Sequence, residues 1–207
     1  MTKPSTDTKR PAGWAHLPFD ATPIRTERFL LRPLRPRDLD DVHAYQKRED
    51  VVRYLLWETR TVEESEAHLA ERRTRVRLAS DGDCLVFAVE LPDEAGGHER
   101  VVGDMSVFLD SASSAQFEIG WVFHPAFHRR GYATEAARAI LDLCFTTLGA
   151  HRVFARLDPR NEASVRLCDR LGMRREAHFR QNLYFKGEWS DTLVYGLLAP
   201  EWRSAGS

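Results

Sequence analysis

Apolar and polar positions change period several times along the chain, and each change marks an element. Phe29, Leu31 and Leu34 predict a first strand, interrupted by Pro33 and Pro36. Asp38 stands where it would cap a helix running toward Arg48, and Thr61 with Glu64 three residues later has the form of a capping box for a second helix. Three strand-like runs follow as a meander, Cys84–Leu91, residues 101–109 and residues 115–123, separated by turn-forming stretches at 92–97 and 110–114. The clearest helical period comes next: Ala137, Ile140, Leu141, Cys144, Phe145 and Leu148 share one face, and Gly149 ends the segment. Arg152–Leu157 reads as a short strand, residues 161–171 as a helix closed by Gly172, and residues 173–179 and 192–198 as the last strands. The order βααβββαβαββ predicts one α/β (α+β) unit, a mixed sheet covered by helices. Residues 1–23 carry few periodic apolar positions and read as a flexible extension or surface strap, so a single domain is expected over residues 24–203.

Composition narrows the function classes without choosing among them. A chain of 207 residues with 43% hydrophobic content can bury one good core. A net charge of −1 argues against a dedicated nucleic-acid binder, which needs a basic excess to neutralise phosphates. The densest basic run, Arg72, Arg73, Arg75 and Arg77, follows Glu63, Glu64, Glu66 and Glu71 in a helical pattern and reads as a solvated helix face. The cysteines, Cys84, Cys144 and Cys168, are odd in number and form no CxxC pair, which fits a reducing compartment. Apolar runs fall short of the roughly 20 residues that span a bilayer, and residues 1–20 lack a secretory core. The expectation is a soluble, cytoplasmic protein with neither nucleic acid nor membrane as partner.

Chemistry concentrates between Trp121 and Ala137. A strand ends at His124 and Pro125, a loop carries Arg129, Arg130 and Gly131, and a helical pattern opens at once with Ala133, Thr134 and Glu135. Free N–H groups at a helix start, the macrodipole and a glycine that lets backbone approach closely together make an anion site. A Walker A loop would need Gly-Lys-Ser/Thr, and a Rossmann turn three spaced glycines with a later acidic residue; neither pattern is present.

What remains, His128-Arg129-Arg130-Gly131-Tyr132-Ala133, resembles the acetyl-CoA pyrophosphate loop (Gln/Arg)-x-x-Gly-x-(Gly/Ala) of the GNAT N-acetyltransferase superfamily, with His128 departing from its first position. Further blocks fall in the order seen in the RimJ/RimL type: residues 26–34, Glu118-Ile119-Gly120-Trp121, Asn161-x-x-Ser164, Leu171-Gly172 and Trp189-x-Asp191-x-x-x-Tyr195. The resemblance covers about residues 26–202. It implies the GNAT fold, a mostly antiparallel central sheet of six to seven strands with about four helices, and acetyl-CoA as cofactor. It also implies cofactor contacts from Trp121, Val122, Phe123, His128, Arg129, Arg130, Gly131, Tyr132, Ala133, Thr134, Asn161 and Ser164. Gly120, inside a strand, reads as a bulge that splays this strand from Arg152–Leu157, the gap in which the family lays the pantetheine arm, or as close packing against a bulky neighbour.

Acetyl transfer to an amine needs a neutral nucleophile, an oriented thioester, a donor for the oxyanion and a proton for the leaving thiolate. Glu118 is the candidate base, with a structural pair to an arginine as its alternative. Asp191, beside the last strand, competes as base or as the anion that binds the amine. The position of the family's tyrosine acid is Cys168, and Ser164 stands where the RimJ/RimL type places a serine acid. Asn161 is expected to bind pantetheine, cap its helix, or both. Tyr54, Trp57, Tyr184 and Trp189 with Asp191 are the candidate acceptor walls. His124 and His128 could be mistaken for metal ligands, but Pro125 prevents a regular helix between them and no third ligand is evident, so no metal is expected. The reading is an acetyl-CoA-dependent N-acetyltransferase with a protein or peptide N-terminus as favoured acceptor. A small-molecule amine such as an antibiotic or polyamine is the enzymatic alternative, and a non-catalytic CoA-binding module the non-enzymatic one; a homodimer is one possible assembly.

Overall fold

A computed structural model describes residues 17–92 and 99–205. Most of the expected extension, residues 1–16, lies outside the described residues. Ahead of residue 24, β1 (Phe19–Asp20) already pairs with β4 (Arg77–Leu78).

Among the described residues, eight strands form the main sheet in the order β2 (Ile24–Arg25), β3 (Leu30–Pro33), β5 (Cys84–Leu91), β6 (Arg100–Ser111), β7 (Gln116–Phe123), β8 (Arg152–Leu157), β10 (Glu188–Leu198) and β9 (Arg174–Phe185). All neighbours are antiparallel except β7 and β8. One strand more than expected joins because Ile24–Arg25, too short to show a period, pairs on β3. The helices are α1 (Leu39–Gln46), α2 (Glu49–Val52), α3 (Val62–Arg72), α4 (Tyr132–Asp142), α5 (Glu162–Arg170) and α6 (Ala199–Ala205).

Strand alternation divides the core in two. On β5, Leu85, Phe87 and Val89 join the larger cluster, which includes Ala136, Ala137, Ile140 and Leu141 of α4, while Cys84, Val86 and Ala88 join Val42 and Tyr45 of α1 and Leu69 of α3. Both faces of β5 are buried, which explains its nearly unbroken apolar run. The long helix expected to reach Leu148 changes pitch instead: Leu143–Thr147 is a π turn after α4, and the Leu148 N–H reaches back to the Leu143 carbonyl at 2.9 Å.

Two local expectations are corrected. Thr61 and Glu64 do form a reciprocal capping box, but Asp38 makes no side-chain cap on α1. Its carboxylate is taken by Arg32, whose Nη1 and Nη2 both donate at 2.8 Å, and Arg32 also binds Glu90. Burial alone would lower the Arg32 pKa; its hydrogen bonds to Asp38 and Glu90 hold it above its ordinary value. The basic run is not one solvated face either. Helix α3 ends at Arg72, whose Nη2 binds the buried Asp104 at 2.8 Å and Ser106 at 2.9 Å in the layer beneath it, and Arg77 lies in β4.

β9 and β10 form one long hairpin, turned by Lys186 and Gly187 at φ 51° and 80°. β8 pairs only with Leu193–Leu198 of β10, so the rest of the hairpin is an arm beyond the sheet. Lys186 fixes its tip by donating to the Val52 carbonyl of α2 at 2.7 Å.

Candidate active site

The parallel pair β7 and β8 is joined only by Gln116, Phe117 and Glu118 opposite Arg152, Val153 and Phe154; beyond Glu118 the strands part. Among the described residues, the separation leaves the β8 side of residues 119–123 without a strand partner, at the carboxyl ends of parallel strands, where open α/β sheets form crevices. A Cβ at Gly120 would meet nothing within 4 Å among the described residues, so space is open at this point of β7. Neither reading of Gly120 holds as stated: it pairs in register with Ser106, the β6–β7 irregularity lying at Leu109–Ser111 instead of a bulge here, and the open space around it excludes close packing.

A cleft of about 1190 Å³ occupies this gap. One wall is the end of β7 with Trp121, Val122 and Phe123; a second is the loop and start of α4, with His128, Arg129, Gly131, Tyr132, Ala133 and Thr134; a third is the start of α5 with Asn161 and Ser164. The α4 loop turns through two left-handed residues, Arg129 at φ 61° and Gly131 at φ 79°. No side chain caps α4, and the Glu135 N–H closes its first turn on Gly131 O at 3.1 Å. The N–H groups of the first turn ahead of Glu135 therefore have no intrahelical acceptor, beside a glycine that admits an anion.

The two sides of the gap are bridged by Trp121, whose Nε1 donates to Ser164 Oγ at 3.1 Å. Ser164 keeps its hydroxyl proton available to donate. Asn161 caps α5 by accepting the Ser164 N–H at 3.1 Å. Cys168, in the position of the family tyrosine, is fully buried and does not line the cleft; burial pushes its thiol up to about 12, so it stays a neutral core residue.

Other expected site residues stand elsewhere. Arg130 is exposed and does not line the cleft; its carbonyl accepts from Arg28 Nη1 at 2.9 Å. Glu118 lies in the paired part of β7, outside the cleft lining, and binds Arg156 at 3.0 and 2.5 Å. Tyr54 does line the cleft, but Trp57 does not: it stacks under the Arg60 guanidinium at 4.1 Å and beside His68. Tyr184 and Trp189 pair with each other across the hairpin arm and are 59% and 60% exposed. Their neighbour Ser190 turns inward to Asp158 at 2.7 Å, and alternation sends Trp189 to the other face. Asp191 sits in the irregular pairing between Ser190 and Thr192, where it accepts from the Gln181 N–H at 2.8 Å and bonds His178 at 2.6 Å. The Gln181 N–H, then His178, holds its carboxyl below the ordinary value. His124 Nδ1 accepts the Ala126 N–H, and His128 Nε2 lies 3.2 Å from the Phe123 carbonyl, so both rings serve the loop.

The cleft also draws in residues with no short-range sequence signal. Arg28 comes from the β2–β3 turn, Asp50, Val51 and Leu55 from α2 and the segment after it, and Arg160 from the β8–α5 loop. Arg160 binds Asp158 and Glu188, each at 2.6 Å, and lies 5.7 Å from the Tyr54 ring centre.

These residues fit acetyl-CoA: a helix start with a left-handed glycine for the pyrophosphate, an unpaired strand edge for the pantetheine amides, and Ser164 at the far wall. A GNAT acetyltransferase domain matches residues 28–174. The chain is 33% identical over 181 residues to an uncharacterized N-acetyltransferase, YnaD, of Bacillus subtilis, covering 87% of this chain and 99% of that one. A solved GNAT-family acetyltransferase from Bacillus anthracis superposes with a TM-score of 0.75 at 31% identity, over 87% of this chain and 100% of that one. Among Escherichia coli enzymes, a spermidine N(1)-acetyltransferase is 26% identical over 79% of this chain and 82% of its own. A ribosomal-protein uS5-alanine N-acetyltransferase is 24% identical over 86% and 92%. With the family match running from Arg28 beside the loop, through both sides of the cleft, to Arg174, the chain belongs to the GNAT family and is an acetyl-CoA-dependent N-acetyltransferase.

Proposed function

We propose that the chain acetylates the N-terminal amine of a protein or peptide. The observation that carries this reading is the neutralisation of the acids around Tyr54 and the hairpin arm. Asp50 is paired with Arg48, Glu188 and Asp158 with Arg160, Glu58 with Lys186, Glu118 with Arg156, and Asp191 with His178. A polyamine or aminoglycoside carries several positive charges and needs several free carboxylates; the first five of these acids already face an arginine or lysine, and Asp191 is engaged by His178 and the Gln181 N–H. A peptide N-terminus brings one amine, and the rest of its chain is served by hydrogen bonds and apolar walls such as Val51, Tyr54 and Leu55. The spermidine-acetylating relative favours the small-amine reading instead, since one GNAT scaffold hosts many acceptors.

Acetyl-CoA supplies the thioester whose acetyl group moves to the amine. An α-amine has a pKa of about 8, so its neutral form is accessible at physiological pH without a strong base. Glu118, on the same strand face as Gly120, takes the proton through water in this proposal. Its carboxylate is already bonded to Arg156 and lies outside the cleft lining, so its contribution is expected to fall below the 10²–10⁴-fold typical of general bases. Ser164, held by Trp121, gives a proton to the leaving thiolate, and β7 backbone N–H groups on the open side receive the developing oxyanion.

CoA release measured against N-terminal peptides, polyamines and aminoglycosides tests the proposal. Peptides should be the best acceptors, and Glu118→Gln should lower their turnover by roughly tenfold. Acetylation of polyamines or aminoglycosides alone would replace the peptide reading with the small-amine one.

A further inference from the structure

Arg28 lies 102 residues from the carbonyl it holds, on the turn between β2 and β3. Its guanidinium makes three contacts at once. Nε donates to Glu135 Oε2 at 2.6 Å, Nη1 donates to the Arg130 carbonyl at 2.9 Å, and the plane lies 4.8 Å from the Tyr132 ring centre. Glu135 is itself held by Thr26 Oγ1 at 2.7 Å and by the Arg28 N–H at 2.9 Å. Burial alone would raise the Glu135 carboxyl, but the bonds from Thr26 and Arg28 bring it below its ordinary value, so it is ionised at neutral pH.

The remaining nitrogen, Nη2, has no hydrogen-bond acceptor among the described residues. It lies 3.4 Å from where a Cβ on Gly131 would stand, and Arg28 and Gly131 both line the cleft. The Arg28 side chain is 40% exposed against 18% for Glu135, so the salt bridge turns its cationic side toward the cleft. A planar guanidinium held along one edge presents its remaining donors in a fixed direction, which suits a phosphate oxygen better than a mobile ammonium does.

We infer that Arg28 is a cofactor-binding residue that acts on the phosphates of acetyl-CoA in two ways. It fixes the loop through the Arg130 carbonyl, and it donates through Nη2 to a phosphate oxygen beside Gly131. This rests on acetyl-CoA lying in the cleft described above.

Kinetics with acetyl-CoA and with S-acetylpantetheine, which keeps the thioester and lacks the phosphates, separate this role from a structural one. A hydrogen bond to a charged group is worth about 1.5–3 kcal/mol, so Arg28→Met should raise KM for acetyl-CoA roughly tenfold or more, with kcat within about threefold. Its kcat/KM for S-acetylpantetheine should match that of the unaltered chain. Arg28→Lys keeps the charge without the fork and should recover part of the loss; it carries the same comparison if Arg28→Met does not fold. Equal losses with both donors, or an unchanged KM for acetyl-CoA, would overturn the inference. Gly131→Asp distinguishes the layers. If it abolishes CoA binding while the Arg28 variants bind normally, only the role of Arg28 fails; if it leaves CoA binding intact, the cleft assignment fails with it.

Discussion

Gly131→Asp is expected to reduce CoA affinity by at least roughly a hundredfold while leaving the chain folded. Gly131 adopts φ 79° at the start of α4, a conformation that Asp tolerates better than most residues, so the backbone cost is about 1 kcal/mol. The loss comes from charge. Two like charges about 4 Å apart repel by about 4 kcal/mol at an effective dielectric of 20, and about 2.8 kcal/mol is already a hundredfold. The new carboxylate would also draw Arg28 Nη2, which lies 3.4 Å from the added Cβ, away from the cofactor. Calorimetric titration with CoA, paired with a thermal melt, checks both halves; an unchanged affinity in a folded variant would remove the anion site from this loop.

Arg32→Met should cost about 3–5 kcal/mol of stability without touching the cleft. Arg32 is 1% exposed and satisfies two buried carboxylates, Asp38 and Glu90, which join the start of α1 to β5. Methionine fills much of the volume but leaves Asp38 buried without a cation and Glu90 with only the exposed Arg37 at 3.5 Å, and such under-compensated groups are more costly than loss of the pair itself. A second change, Glu90→Gln, should recover part of the loss by removing one of the under-compensated charges. Urea midpoints for the single and double variants measure this; a single-variant loss below about 1 kcal/mol would mean that the network is solvated.

The parts of the fold legible in the sequence were those written in local periods and short-range chemistry. The Thr61–Glu64 capping box, the apolar face of α4, the gap at Gly120 and the Arg129–Thr134 loop depend on neighbours within a few positions, and one glycine signals each turn or opening. The acceptor side was harder because it is built by an arm whose register is not local. Residues 180–191 read as a loop; the positive φ of Lys186 and Gly187 makes them a hairpin instead, and alternation then turns Ser190 inward and Trp189 outward. Asp191 reads like a cleft acid, but the bulge at Ser190–Thr192 commits it to the Gln181 N–H and His178. Arg28 gave no signal of its role in the cleft, since its partners lie more than a hundred positions away. Cys168 was legible as a departure: standing where the family has its tyrosine acid, it put that role in doubt, and its burial in the core is consistent with that.

The central claim is that acetyl-CoA lies between β7 and α5, with its pyrophosphate at the start of α4. Amide hydrogen exchange with and without CoA tests it most directly. The account predicts slowed exchange confined to residues 119–123, whose β8 side is open, and to the Arg129–Thr134 loop, with β5 and the β9–β10 arm unchanged. Exchange unaltered at both segments under saturating CoA, or protection appearing only on the hairpin arm, would contradict it.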